Sequence, residues 1–230
     1  MEGSTGDGVG KNERGRGAFI LLEGVDRCGK TTQAKLLVES LGKAGTDVCF
    51  MRFPDRTTAI GQMINSFLQN TVEIDDRCVH LLFSANRWES ESKIRKLLKE
   101  GTTIVCDRYA YSGVAFSASK PGLSVPWCKD PDRGLPAPDK IVFLDISVED
   151  AMKRGQFGEE RYEKETFQRK VRSTFMSLME QDEANGVDWV MIDANRPISA
   201  IQDEIKKAAL EAVKTVRDRK IGLLWSREAS

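Results

Sequence analysis

The chain has 230 residues, enough for one globular domain that buries most of its unfolded surface and too few for two large ones. It is 40% hydrophobic and 30% charged, and 35 basic side chains balance 35 acidic ones, so no net charge draws it towards nucleic acid or an acidic membrane and any anion site must be built locally. Its five cysteines, Cys28, Cys49, Cys78, Cys106 and Cys128, are odd in number and lack C-x-x-C spacing, which argues against a zinc ribbon or a disulfide framework and for a reducing compartment.

Residues Met1 to Gly17 are glycine-rich with mixed charge, including Glu2, Asp7 and Glu13, and read as a disordered leader rather than a secretory or transit signal. The first strand is expected over Ala18–Leu22 and is closed at once by Glu23; no apolar run approaches the length of a membrane span, so a cytoplasmic or nuclear protein is expected. Helix Lys30–Lys43, strand Asp47–Arg52, helices Thr58–Leu68 and Asp75–Glu100, and strand Thr102–Cys106 follow by periodicity. The connection Lys120–Asp139 carries Pro121, Pro126, Pro131, Pro136 and Pro138 and is not expected to be helical throughout. Strand Lys140–Leu144, helices Val148–Arg154 and Tyr162–Ala184, strand Asp188–Ile192 and helix Ile198–Arg217 complete the chain, and no repeat is present. This alternation predicts an α/β fold, a parallel sheet with helices on both faces, in one domain from 18 to 230.

Gly24-Val25-Asp26-Arg27-Cys28-Gly29-Lys30-Thr31 matches G-x-x-x-x-G-K-[ST] and falls between an expected strand and an expected helix, the context a phosphate-binding P-loop requires. Its glycines let backbone amides turn towards phosphates, the helix adds its positive end, Lys30 reaches the β- and γ-phosphates, and Thr31 is a ligand for Mg²⁺. The fold is therefore expected to be of the P-loop NTPase type. No N-K-x-D guanine motif occurs. The strand ending in Asp107 supplies an acid for the Mg²⁺ water shell, and Arg108 directly after it points into the crevice at the carboxyl ends of the strands.

Asp107-Arg108-Tyr109, Arg52-Phe53-Pro54-Asp55-Arg56 and Leu81-Leu82-Phe83-Ser84-Ala85-Asn86-Arg87-Trp88-Glu89 resemble the signatures of eukaryotic and poxviral thymidylate kinases. So do Tyr111-Ser112-Gly113-Val114-Ala115-Phe116, Gly134-Leu135-Pro136 with Pro138-Asp139, and Glu160-Arg161-Tyr162-Glu163, so that the resemblance runs from about Arg16 to Trp225. It implies transfer of the γ-phosphoryl group of ATP to dTMP, with Mg²⁺, in a homodimer that binds neither nucleic acid nor membrane. Catalytic roles then fall on Arg27, Lys30, Asp107 and Arg108, and metal ligation on Thr31 and Asp107. ATP contacts fall on Arg27, Cys28, Gly29, Lys30, Thr31, Thr32 and Arg108, with Arg196 and Lys206 near the adenine. The acceptor's 3′-hydroxyl falls on Asp26 and its phosphate on Arg56 and Arg108; Phe53, Phe83, Gly113 and Tyr162 enclose the base and Arg87 reads its carbonyl.

Several of these residues have plainer readings by spacing alone. Asp26 could stabilise its own loop and Arg56 could pair with Asp55 at the surface. Phe83 continues the helical stripe of Val79 and Leu82 and would be core. Arg87, four residues on, puts a charge on that stripe and needs a partner. The segment Arg154 to Arg161 has the composition of a solvated loop, and the resemblance makes it a short lid within about 150–165. Between Gly155 and Glu160 it has no Lys or Arg, so Arg27 is expected to supply the arginine of phosphoryl transfer, with Arg154 and Arg161 as alternatives. Cys28 is either a thiolate favoured by the helix N-terminus or a small space-filling side chain. His80, the only histidine, gets no catalytic role.

Overall fold

The computed structural model describes residues 15–154 and 158–226. Five strands, β1 (Phe19–Glu23), β2 (Val48–Arg52), β3 (Thr103–Asp107), β4 (Lys140–Asp145) and β5 (Trp189–Asp193), form one all-parallel sheet in the order β2-β3-β1-β4-β5. β1 is buried throughout, as the central strand of a sheet covered on both faces should be. Its side chains alternate: Phe19 and Leu21 enter one core with Ile104, Cys106, Ile141 and Phe143, while Ile20 and Leu22 enter another with Val105, Val142 and Leu144.

The second core is closed by α1 (Lys30–Lys43) and α9 (Ile198–Thr215), which bury Leu37, Leu41, Ile201 and Ile205. The first is closed by α4 (Glu91–Lys99), α5 (Ala110–Ala118) and α8 (Glu165–Glu183). α2 (Ala59–Leu68) and α3 (Asp76–Trp88) make a smaller cluster around Ile64, Phe67 and Val79. α6 (Val125–Lys129), a 3-10 turn at Asp130–Asp132 and α7 (Val148–Met152) complete the described elements. Among the described residues no helix is long and apolar enough to cross a membrane.

The expected helix Asp75–Glu100 is two helices, α3 and α4. Ser90 donates its N–H to Arg87 O at 3.0 Å and tightens the chain between them. The stripe of Val79, Phe83, Arg87, Ile94 and Leu98 runs nearly in phase across this turn, and neither glycine nor proline marks it. α5 carries no amphipathic signal because it is buried on nearly every side. Arg16 and Gly17, at the end of the expected leader, are tied to the fold: Arg16 grips Asp139 through two bonds of 2.6 and 2.7 Å, and Gly17 donates to Leu98 O at 2.8 Å. The rest of the expected leader, and residues 155–157 of the expected lid, lie outside the described residues.

The connection after β1 leads to β2 on one side of the sheet, and the path after β3 leads to β4 on the other. The carboxyl ends of these adjacent strands therefore flank a topological switch point, where open α/β sheets hold ligands.

Candidate active site

β1 runs into the P-loop and α1 leaves it. Gly24 has φ 147, and a Cβ there would lie 2.7 Å from both Cys28 Sγ and Leu144 O, so only glycine lets the loop pass β4. Lys30 is buried inside the loop, its Nζ donating to Val25 O at 2.6 Å and Gly24 O at 3.1 Å. The Thr31 hydroxyl donates to Asp107 Oδ2. Asp107 is buried, Arg52 Nε lies 3.6 Å from its Oδ2, and its Oδ1 has no hydrogen-bond partner. An orphan carboxylate oxygen beside a threonine hydroxyl is a donor set for a hard cation that keeps most of its waters.

Arg108 begins the turn after β3 with φ 68 and points back under the P-loop. It donates to Asp26, to Ser112 Oγ at 3.1 Å and to Gly24 O at 3.3 Å. Its CZ lies 5.2 Å from the centroid of the Phe116 ring. Burial works against its charge, but Asp26, Asp107 and Glu23 together hold the guanidinium above its ordinary range. Beneath it, fully buried Glu23 accepts from Ser112 Oγ and from the N–H groups of Tyr109 and Ser112, which pins the β3–α5 turn. Burial nevertheless pushes the Glu23 carboxyl upwards. Gln168 donates to Asp26 and accepts from the Asp26 N–H at 3.0 Å.

These residues open into one cleft of about 850 Å³ that joins the P-loop to a pocket between α2, α3 and α5. Asp26, Phe53, Arg56, Phe83, Arg87 and Tyr162 all line it, as does Gly113. Arg87 finds its partner in Asp132, with Nε at 3.0 Å from Oδ1 and Nη2 at 2.6 Å from Oδ2, both side chains buried. Gly113 makes room for it, since a Cβ there would come within 2.7 Å of Arg87 Nη2. Tyr162 stacks on Phe167 at 5.2 Å, and Lys120 Nζ donates to its hydroxyl at 2.8 Å. Phe83 is half-buried at the edge of the α2–α3 cluster while facing the cleft, so the two readings of its spacing describe two sides of one ring. Arg56 does not pair with Asp55; it donates to Asn65 Oδ1 at 2.9 Å and Glu160 Oε1 at 2.8 Å.

The flanking arginines separate. Arg154 lines the cleft and donates to Cys28 O at 3.0 Å, whereas Arg161 is turned to Glu73, Phe67 O and Val72 O and is not among the lining residues. Arg196 lines the cleft, pairing with Glu204 at 2.7 Å, but Lys206 does not: it lies further along α9 than Ile201 and on a different face of the helix. Cys28 is 1% exposed and packed in the α1 core, which favours the space-filling reading. Asp132, Glu23, Gln168 and Glu163 support the site without a role legible in the sequence. Only Glu163, inside the quoted Glu160–Glu163 motif, carried a signal there.

Comparison with known proteins gives a consistent result. The family model described as thymidylate kinase matches residues 22–205. The chain is 47% identical over 210 residues to a thymidylate kinase of Homo sapiens, covering 91% of this chain and 98% of the relative. It is 51% identical over 193 residues to one of Dictyostelium discoideum, covering 83% of each. Among solved structures, a thymidylate kinase from Candida albicans superposes with TM-score 0.79 at 34% identity, covering 91% of this chain and 98% of that one.

Proposed function

We infer the reaction from two premises that agree: the chain belongs to the thymidylate kinase family, and a single cleft joins its P-loop to an aromatic pocket with Arg87 at one end and Arg108 at the junction. It transfers the γ-phosphoryl group of ATP to dTMP, giving dTDP. The continuity of that cleft carries the reading, because in-line transfer needs donor and acceptor phosphates to meet over the P-loop.

The donor phosphates lie over the backbone N–H groups of Cys28, Gly29, Lys30, Thr31 and Thr32, with Lys30 exchanging its loop carbonyls for phosphate oxygens. The Asp107 carboxylate and Thr31 hydroxyl would hold Mg²⁺, which when bound neutralises phosphate charge; the unpartnered Asp107 Oδ1 supports that assignment. Arg196 flanks the adenine. Asp26 accepts from the sugar 3′-hydroxyl, and Arg56 and Arg108 take the acceptor phosphate as planar forks. Phe53, Phe83 and Tyr162 enclose thymine, Arg87 donates to its C4 oxygen, and Gly113 leaves Arg87 room to do so. Arg27 and Arg108 stabilise charge on the transferring group.

Two further properties belong to this reading. Met63 on α2 and Leu81 and Trp88 on α3 are 52%, 48% and 40% exposed, and large apolar side chains left in water on these two helices support a homodimer, testable by sedimentation equilibrium. All five cysteines are unbridged, which supports a reducing compartment, cytoplasm or nucleus. A coupled ADP-release assay with dTMP, dUMP, dCMP, AMP and thymidine tests the reaction; activity confined to AMP or thymidine would overturn it.

A further inference from the structure

His80 is a buried polar group near the cleft that the proposed reaction leaves without a task. Its ring sits between α3, α5 and α6, fully shielded, with Nδ1 2.7 Å from Ser117 Oγ and Nε2 3.1 Å from the Cys128 carbonyl oxygen. A carbonyl only accepts, so Nε2 carries the hydrogen. Burial, with Arg87 nearby, lowers the pKa of the ring and keeps it neutral, which leaves Nδ1 a bare acceptor. The Ser117 hydroxyl must then donate to His80. Ser119, two residues on, shows the ordinary habit of a helical serine by donating to Ala115 O at 2.7 Å.

Ser117 lines the cleft beside Phe116 and Arg87, only 6% exposed. With its single hydrogen committed inward, it can offer the cleft lone pairs and nothing else.

We propose that Ser117 is a specificity-determining residue of the base pocket, accepting a hydrogen bond from the imide N3–H of the base, directly or across one water, in a polarity fixed by His80 and the Cys128 carbonyl. This role rests on the dTMP-kinase reading above. Thymine and uracil present a C4 oxygen and an N3–H, an acceptor beside a donor. Arg87, a pure donor, and Ser117, a pure acceptor, are the complementary pair. Neutral cytosine presents the reverse, an amino group and a bare N3, and meets donor with donor and acceptor with acceptor.

The test is steady-state kinetics of the full chain with dTMP, dUMP and dCMP. Ser117→Ala is expected to raise KM for dTMP and dUMP about tenfold, the value of one neutral hydrogen bond, with kcat moving less and dCMP unaffected. The preference for dTMP over dCMP then falls about tenfold, as the same hydrogen-bond arithmetic requires. Ser117→Thr should keep the preference, and His80→Phe should lose it with Ser117 still in place. A purely structural role would depress all three acceptors together and leave the ratio intact, and that result in a folded Ser117→Ala overturns the proposal. Since His80 is the only histidine, ¹⁵N NMR of the unaltered chain reads its tautomer without assignment, and needs no variant to fold. Hydrogen on Nε2 and none on Nδ1 is expected; the opposite tautomer overturns the proposal. Failure of the unaltered chain to phosphorylate dTMP is read first and sinks the reaction itself.

Discussion

Arg27 and Glu163 lie 136 residues apart and meet in a 2.8 Å ion pair, Nε to Oε1. The other oxygen of the same carboxylate accepts from the backbone N–H groups of Gly158, Glu159 and Glu160 at 3.0, 3.0 and 3.3 Å. Three successive amides around one oxygen make a nest for negative charge. Glu163 thus couples the end of the expected lid to the direction of the P-loop arginine. Its hydrogen bond is also the main reason the Arg27 guanidinium is held above its ordinary range.

If Arg27 supplies charge to the transferring group, Arg27→Gly should lower kcat by about 10²–10⁴ and leave KM for dTMP nearly unchanged, the pattern of an interaction made mainly in the transition state. Arg27 has φ 61, which glycine adopts freely, so the loop should keep its shape. Glu163→Gln should act in the same direction more weakly, because the cation remains and only its orientation is lost. Loss of dTMP affinity with turnover intact in Arg27→Gly would move the role to Arg154, since Arg161 is bonded away from the cleft.

Arg108 allows function and fold to be separated. At φ 68 a side chain costs about 1 kcal/mol relative to glycine, which offsets part of what is lost with the bonds to Asp26, Ser112 Oγ and Gly24 O. Both variants should be destabilised while turnover falls by orders of magnitude, and Arg108→Ala, which keeps the strain, should be less stable than Arg108→Gly by about 1 kcal/mol. Urea midpoints alongside kinetics check both; near-native turnover in either variant removes Arg108 from the reaction centre.

Local signals made much of this molecule legible. Every expected strand is present, because fully buried parallel strands read as short apolar runs bounded by turns, and the P-loop declares itself by glycine spacing. α5 leaves no periodic signal because it is buried nearly all round, and the α3–α4 turn leaves none because the apolar phase continues through it. The partners of the site residues were less accessible still. Nothing near Asp132 in the sequence says that it will face Arg87, 45 residues earlier. That pairing is made by folding the α6 connection against α3, a long-range event with no periodicity to read.

The Arg87–Asp132 pair should behave as a buried ion pair. Asp132→Ala leaves an uncompensated cation and should cost about 3–5 kcal/mol in chemical denaturation. Gly113→Ala probes the same guanidinium differently: two bonds to Asp132 prevent it from yielding to a Cβ at 2.7 Å. KM for dTMP should rise roughly tenfold, about one hydrogen bond, with less loss of stability than Asp132→Ala. Unchanged KM in Gly113→Ala would show that Arg87 does not read the base.

Thiol labelling should distinguish the cysteines by burial. Cys78 is exposed on α3 and should react first, while Cys28, closed into the α1 core, should react slowly whether or not ATP is present. Peptide mass spectrometry after a short exposure to iodoacetamide reads the order. Rapid labelling of Cys28 that ATP suppresses would restore the reactive-thiolate reading.

The buried neutral state of His80 also predicts how stability depends on pH. Its ordinary value is 6.5, and burial, then the Arg87 charge and the smaller effect of Lys120, lower it in the folded protein, while Asp132 and the Cys128 carbonyl act the other way. Between 6.5 and the lower folded value the unfolded chain binds a proton that the folded chain refuses. Stability from this group is therefore complete above the unfolded pKa and is lost as pH falls towards the folded one. Glu23 acts in the opposite sense, since burial raises its carboxyl above 4.5 and favours the folded state as acid is added. The carboxylates of Glu73 and Glu91, held low by Arg161 and Arg95, lose their contribution only in more acid solution. Comparison with His80→Phe isolates the histidine, because Glu23 and the surface pairs are common to both proteins. From about pH 7.5 to about pH 5.5 the urea midpoint of the unaltered chain should fall more steeply than that of His80→Phe, the difference being one proton's linkage. Parallel curves across that range would mean that His80 accepts its proton without leaving the folded state, and would contradict a ring locked as a neutral acceptor for Ser117.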